Sequence, residues 1–291
     1  MKEKKASKEK TAFVLAGGGS LGAIQAGMLK ALADRGIRPD LIVGASVGAI
    51  NGAFFAQEPT PKGAAALTEI WQGLKRPDVF PLSAMEGAKA FLALSNNLVN
   101  PSHLRRLIRK HLAVSNLEDL PVPFCAVATD FLSGSEVCIK SGPALPALMA
   151  SAAIPAVFPP VLLGGRNLID GGVAAMTPVA AAADMGATRV IVLHTGYSCA
   201  MSELPAGGLI AMGLHILNVM VTRKLAEDIE RLMNKVEIFF LPPLCPMEAS
   251  PFDFSQTARL MGKAEESTGA WLDLGSLEKK ANPMAYLAHR H

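Results

Sequence analysis

Apolar positions along this chain fall into two arrangements. Short unbroken runs at 12–16, 41–43, 124–129, 189–194 and 238–241 have the length and the Val, Ile, Phe and Leu content of buried strands, with a further strand at 136–139. Between them, apolar residues recur every three or four positions. Leu21, Ile24, Met28 and Leu32 share one stripe, with Gln25 and Lys30 off it, which predicts a helix ending near Asp34 with Gly36 as its stop. Helices are likewise predicted over 144–150, 179–185, 209–232 and 255–274. In the longest, Leu217, Met220, Val221, Leu225, Ile229 and Leu232 form one stripe, expected to pack on a sheet with binding to a membrane surface as the weaker alternative, and Arg223, Lys224, Glu227, Asp228 and Arg231 lie off it. From 60 to 120 the helical pattern is less regular, and Pro61, Pro77, Pro81 and Pro101 cut it into short helices, the look of an insertion covering one end of a sheet. Strands alternating with helices predict an α/β fold: a three-layer α/β/α sandwich with a largely parallel central sheet.

Charge changes this picture only at the start. The formal charge is +3, and five lysines against two glutamates in the first ten residues account for all of it, so the body is neutral. A neutral body offers no broad basic face, which argues against nucleic acid as a partner. Residues 1–10 are expected to be a disordered lysine-rich tail able to approach an anionic membrane, 11–245 one catalytic-sized unit, and 246–291 a C-terminal helix and tail. Cys125, Cys138, Cys199 and Cys245 are far apart, with no C-x-x-C pair, and read as unpaired buried residues of a reducing compartment. The apolar run at 12–16 is too short for a secretory signal. The longest apolar window, 207–221, contains His215 and Asn218 and is under membrane-spanning length, so a cytoplasmic protein is expected, with peripheral membrane contact allowed. No histidine pair has carboxylates at metal-ligand spacing, and neither metal nor cofactor is called for.

Three stretches carry chemistry. The first is Gly44-Ala45-Ser46-Val47-Gly48, entered from a strand and left into a helix, the setting in which G-x-S-x-G works as a nucleophile elbow. A turn that lifts a serine hydroxyl clear of a sheet leaves no room for a Cβ two residues to either side, and Gly44 and Gly48 supply that room. The second is Gly17-Gly18-Gly19-Ser20-Leu21-Gly22, which matches the dinucleotide pattern G-x-G-x-x-G. That use requires an acid at the far end of the second strand. Asp40 stands at the near end and Ser46 at the far one, so a dinucleotide site is the weaker alternative and an oxyanion cradle of backbone amides the stronger. The third is Asp170-Gly171-Gly172, at the end of a strand, where a carboxylate followed by glycines can serve a serine as its base.

In this order, and with residues 150–160 (ASAAIPAVFPP) before the aspartate, the chain resembles the patatin-like phospholipase family over about residues 12 to 195. The resemblance implies a lipid acyl hydrolase with a Ser46–Asp170 dyad, a patatin-like catalytic domain, and the amides of Gly17, Gly18, Gly19, Ser20, Leu21 and Gly22 holding the oxyanion. Two positions depart from the family pattern. Leu21 stands where Arg or Lys is usual, and Ala174-Ala175-Met176 where an asparagine commonly follows the D-G-G. The first removes a cation near the glycine loop, the second an amide that could brace the aspartate turn, and both leave room for a weak enzyme or a lipid-binding module.

Ser46, Asp170 and His194 also stand in the chain order of a conventional triad, so a Ser-Asp-His esterase is the competing mechanism. An aspartate acts without histidine only where it lies directly on the hydroxyl in a site poor in water, and Ile169, Val173 and Ala174 supply apolar surroundings. The expected substrate is a long-chain acyl ester or phospholipid.

Overall fold

The computed structural model describes residues 9–81, 99–196, 208–244, 249–279 and 282–284, and for 208–218 the backbone alone. Strands β1 (Thr11–Leu15), β2 (Leu41–Ala45), β3 (Phe124–Asp130), β4 (Glu136–Ile139), β5 (Val161–Leu163), β6 (Arg166–Asp170), β7 (Arg189–Leu193) and β8 (Glu237–Phe240) form one eight-stranded sheet. Its order is β5-β6-β3-β2-β1-β7-β8, with β4 also paired to β3. The five strands from β3 to β8 are mutually parallel. At the other edge β4, β5 and β6 pair antiparallel, so the sheet is mixed rather than purely parallel. The cause is loop length. Strands joined by a tight turn can only run antiparallel, and β5 meets β6 through Gly164-Gly165, both at positive φ (57° and 76°).

Side chains alternate along the central strands between two cores. One face carries Phe13, Leu15, Ile42, Phe124, Ile191 and Leu193, covered by helices α1 (Gly22–Asp34), α2 (Val47–Ala56), α3 (Pro61–Gly73), α4 (Arg76–Val79), α5 (Ser102–His111) and α6 (Ala144–Ser151). The other carries Val14, Leu41, Val43, Val190, Val192 and Ile238. It lies beneath α8 (Val179–Asp184) and α9 (Gly208–Leu232), while the single turn α7 (Gly172–Ala175) follows β6. The result is the three-layer α/β/α architecture. Helix α10 (Thr257–Asp273) joins the first core through Leu260, Met261 and Ala264 and packs along α1, where a Cβ on Gly27 would meet the Met261 backbone. Arg35 clamps the end of that pair with a bidentate bond to Asp273, at 2.7 and 2.8 Å.

Four expectations need correction. The tail ends earlier than residue 10: Glu9 pairs with Arg189 at 2.6 Å, and Lys10 bonds Thr188 and the Met185 carbonyl, while 1–8 lie outside the described residues. Cys125 and Cys138 form a disulfide, with Cα atoms 5.6 Å apart, across the antiparallel β3–β4 pair, where Cys138 lies opposite Val127 and diagonal to Cys125. That removes the cysteine argument for a reducing compartment; Cys199 and Cys245 lie outside the described residues. On α9, Leu225, Ile229 and Leu232 are buried but Met220 is exposed, and Leu217 lies outside the described side chains. Asp228, placed off the apolar stripe with the other charged residues, is nonetheless buried and held by Lys224 and Arg231. Among the described residues no helix is long and apolar enough to cross a membrane.

Candidate active site

Ser46 sits where β2 gives way to α2, in a conformation that a side chain rarely adopts (φ 55°, ψ −127°). Such a backbone costs about 1–3 kcal/mol and persists only where its surroundings dictate it. Here they do. The α-carbon of Gly44 faces the backbone of Gly48 and Ala49, and that of Gly48 faces the backbone of Leu15 and Ala16, so a Cβ at either position would clash with main chain. The amide of Ser46 donates to Ser151 Oγ at 3.0 Å, and the Ser151 hydroxyl donates onward to the Val127 carbonyl at 2.5 Å. A fully buried serine on α6 therefore ties the turn to strand β3.

Asp170 reaches the same place from the opposite strand direction. On β3 the pairings are consecutive: β2 holds Phe124 to Val127 and β6 holds Ala128 to Asp130, so the ends of β2 and β6 arrive at adjacent positions of one strand. The 151–153 segment fixes this end too. The Asp170 amide donates to the Ala153 carbonyl (2.9 Å) and the Gly171 amide to the Ser151 carbonyl (3.1 Å). Thr129 supplies the brace whose asparagine is absent from the sequence: its hydroxyl donates to the Asp170 carbonyl at 2.8 Å and accepts from the Ala174 amide at 3.1 Å.

The Asp170 carboxyl is buried, and one oxygen, Oδ1, accepts from the Gly172 amide at 2.7 Å. Burial pushes its pKa up to about 6, against the opposing pull of the Ser46 side chain and the Gly172 amide. Ser46 is thus near enough to act on the carboxylate, yet Oδ2 has no completed hydrogen bond among the described residues.

The glycine loop between β1 and α1 is more selective than its sequence suggests. The amide of Gly17 donates to Met176, Ser20 to Pro251, Leu21 to Gly18, and Gly22 to Gly19 and Ser20. Of the six amides expected to form a cradle, only those of Gly18 and Gly19 are left without an acceptor among the described residues, as is that of Val47 at the start of α2. Thr195 holds the loop by donating to the Gly17 carbonyl and lying against Gly18. Leu21 packs on the first core, with no cation in its place.

His194 is not placed to serve as a base. Its Nε2 bonds the Leu241 carbonyl at 2.8 Å, its Nδ1 accepts from the Gly196 amide at 3.2 Å, and burial lowers its pKa to about 4. Both ring nitrogens are spent on backbone, which corrects the triad alternative. His194→Ala is expected to cost about 1–3 kcal/mol of stability from the lost buried bonds. Ester turnover per folded molecule should stay within about threefold of wild type, and a loss of about a thousandfold would restore the triad. Asp40 accepts from the Thr11 amide at 2.8 Å, at the entrance end of β2 and far from where a ribose would need an acid. Among the described residues no cluster of His, Cys, Asp and Glu could hold a metal.

A narrow cleft of about 50 Å³ opens on Ser46 and Gly19. Its walls come from α2, α3 and α5 and include Phe54, Leu67, Leu104 and Leu107, and no charged side chain among the described residues lines it. Phe80 closes one wall in an aromatic cluster, with ring centres 5.8 Å from Phe158 and 5.3 Å from Phe252. Beneath the floor, Trp71 Nε1 donates to Asn51, whose amide donates to Gln25 and the Gly22 carbonyl, and Gln25 in turn donates to the Ala16 and Leu193 carbonyls. This satisfied buried network joins the cleft wall to the glycine loop, and its members were inconspicuous in the sequence.

Comparison with known proteins converges on the same elements. An uncharacterized NTE family protein of Mycobacterium tuberculosis is 31% identical over 190 residues, which are 64% of this chain and 49% of that one. The patatin-like phospholipase domain-containing protein 7 of Mus musculus is 29% identical over 194 residues, 64% of this chain and 13% of the relative. The chain thus spans about half the length of its mycobacterial relatives and far less of the mammalian ones. Among solved structures, VipD from Legionella pneumophila superposes with a TM-score of 0.50 at 14% identity, covering 92% of this chain and 67% of VipD, a likeness of fold. The model of the patatin-like phospholipase domain matches residues 13–183, which hold the glycine loop, Ser46 and Asp170, and on that match the chain belongs to the patatin-like phospholipase family.

Proposed function

We propose that this protein is a serine acyl hydrolase that cleaves acyl esters of lipids through an acyl-enzyme, with Ser46 as nucleophile and Asp170 as its base. The observation that carries the reading is a buried carboxylate with one unpartnered oxygen close to Ser46, the residue that opens on a cleft lined, among the described residues, by no charged side chain. A carboxylate with a pKa near 6 is ionised at neutral pH and a stronger base than one in water, the condition for acting without histidine. Asp170 takes the proton of Ser46 as Oγ bonds to the ester carbonyl carbon. Developing charge on the carbonyl oxygen falls to the amides of Gly18, Gly19 and Val47, the last at the positive end of α2. As the tetrahedral adduct collapses, the C–O bond to the alcohol breaks and Asp170 returns its proton to the departing oxygen. Water then attacks the acyl-serine with Asp170 again as base, the acid leaves, and Oγ recovers its proton.

The cleft sorts the substrate. Its lining suits a hydrocarbon chain, and with no cation inside it among the described residues the polar head of a lipid is left outside. A fluorophosphonate probe tests the reading directly. It should phosphonylate the native protein once, on the peptide bearing Ser46, and fail on heat-unfolded protein. Attachment elsewhere, or none, would remove Ser46 from this role.

A further inference from the structure

We propose that α5, with the adjoining Lys75 and Arg76, is the face by which the protein docks on an anionic lipid bilayer. Helix α5 divides its residues sharply. Leu104 and Ile108 enter the first core, and Leu104 and Leu107 line the Ser46 cleft, while Arg105, Arg106, Arg109 and Lys110 are all exposed, with no acidic residue on the helix. Lys75 and Arg76, also exposed, stand at the start of α4, which the His103–Pro77 hydrogen bond (2.9 Å) fastens to α5. None of these six cations has an ion-pair partner among the described residues. Lys30, Arg35, Lys62, Arg189, Arg223, Lys224 and Arg231 do have one, and the other described cations without one, such as Arg38, Lys140, Arg166, Lys235 and Lys263, are spread over separate elements. Among the described residues the acids that share this face are Glu69, Asp78 and Asp253; Asp78 accepts from the Lys75 amide and Asp253 from the Ser255 amide, each at 2.8 Å.

An array of unneutralised cations implies an anionic partner, and continuity with the cleft says which. The helix that presents the charges also walls the apolar slot leading to Ser46, so phosphates of a bilayer on the cations would hold acyl chains at the slot. Nucleic acid would meet the charges but have no use for the slot. The choice of lipid rests on the acyl-hydrolase reading; the binding itself does not depend on catalysis.

Co-sedimentation with vesicles of phosphatidylcholine alone, or of phosphatidylcholine with phosphatidylglycerol, tests this. Wild type and Ser46→Ala should partition onto the phosphatidylglycerol vesicles and not the neutral ones, and added salt should release them. Each cation near such a surface is worth about fivefold in partitioning, so R105Q/R106Q/R109Q/K110Q should lose at least about a hundredfold. Its melting temperature and its turnover of a short soluble ester should match wild type, since the four side chains are in solvent. Absent binding, equal binding to both vesicles, tighter binding to duplex DNA, or anionic binding that survives in the quadruple variant would each overturn the proposal. Ester turnover without vesicle binding ends the docking face alone, whereas vesicle binding without turnover or labelling ends the catalytic reading alone.

Discussion

Asp170→Asn is expected to leave a protein that is nearly inert and more stable than wild type. Removing a general base from a serine nucleophile costs about 10³- to 10⁴-fold in kcat, and among the described residues no other side chain is placed to replace it. The stability gain follows from the same carboxylate. Its pKa moves from 3.8 to about 6 on folding because burial disfavours the charge. Between those two values the native state holds more protons than the unfolded chain, so stability falls as pH rises through that window. At neutral pH the ionised Asp170 therefore costs up to about 3 kcal/mol. Asparagine keeps the acceptor for the Gly172 amide and carries no charge to bury, so a gain of about 1–3 kcal/mol at pH 7 is expected, fading below pH 4. Wild-type kcat/KM should show an acid limb with an apparent pKa near 6. Urea denaturation across pH, with ester hydrolysis on the same samples, reads all three. An active Asp170→Asn variant, or an acid limb near 4, would take the base assignment away.

That variant also separates what the chain shows as a string from what only the fold assembles. The parallel centre is legible because β1, β2, β3, β7 and β8 are unbroken apolar runs with turns at both ends, and Gly44 and Gly48 mark the sharp turn by steric need alone. The antiparallel edge is not, because β5 has three residues and no period; its one signal is Gly164-Gly165, a hairpin pair. Thr129 and Ser151 are small hydroxyls inside apolar runs, where nothing local distinguishes a brace from a filler. Their roles exist only once β3, β6 and α6 bring Asp170 and Ser46 to them. The glycine loop reads as six equivalent amides until Met176 and Pro251, from distant segments, take up two of them. His194 misled for the same reason, since its acceptor, the Leu241 carbonyl, lies past the next strand. Asp228 stands off the apolar stripe among the other charges of its helix, and burial there depends on Lys224 and Arg231 neutralising it.

Gly48→Ala is expected to cost more than about 4 kcal/mol or to prevent folding, although it adds a single methyl group. A Cβ at 48 would stand 2.6 Å from the Leu15 carbonyl carbon and the Ala16 oxygen, and nearer still to the Leu15 oxygen. Those atoms belong to the end of β1, which is bonded on both edges, to β2 and to β7, and cannot retreat without breaking one ladder or the other. A flexible side chain could yield, but paired backbone cannot. Gly262→Ala is the control. It sits exposed in α10 with nothing within 4 Å of its added methyl, so relief of glycine's backbone entropy should stabilise by about 0.5–1 kcal/mol. Denaturant midpoints of the two variants should therefore move in opposite directions. If Gly48→Ala instead stays within about 1 kcal/mol of wild type, the close approach of α2 to β1 is wrong. The strained turn at Ser46 would then lose the support that holds it, because what keeps that backbone at φ 55° is the lack of any room to relax.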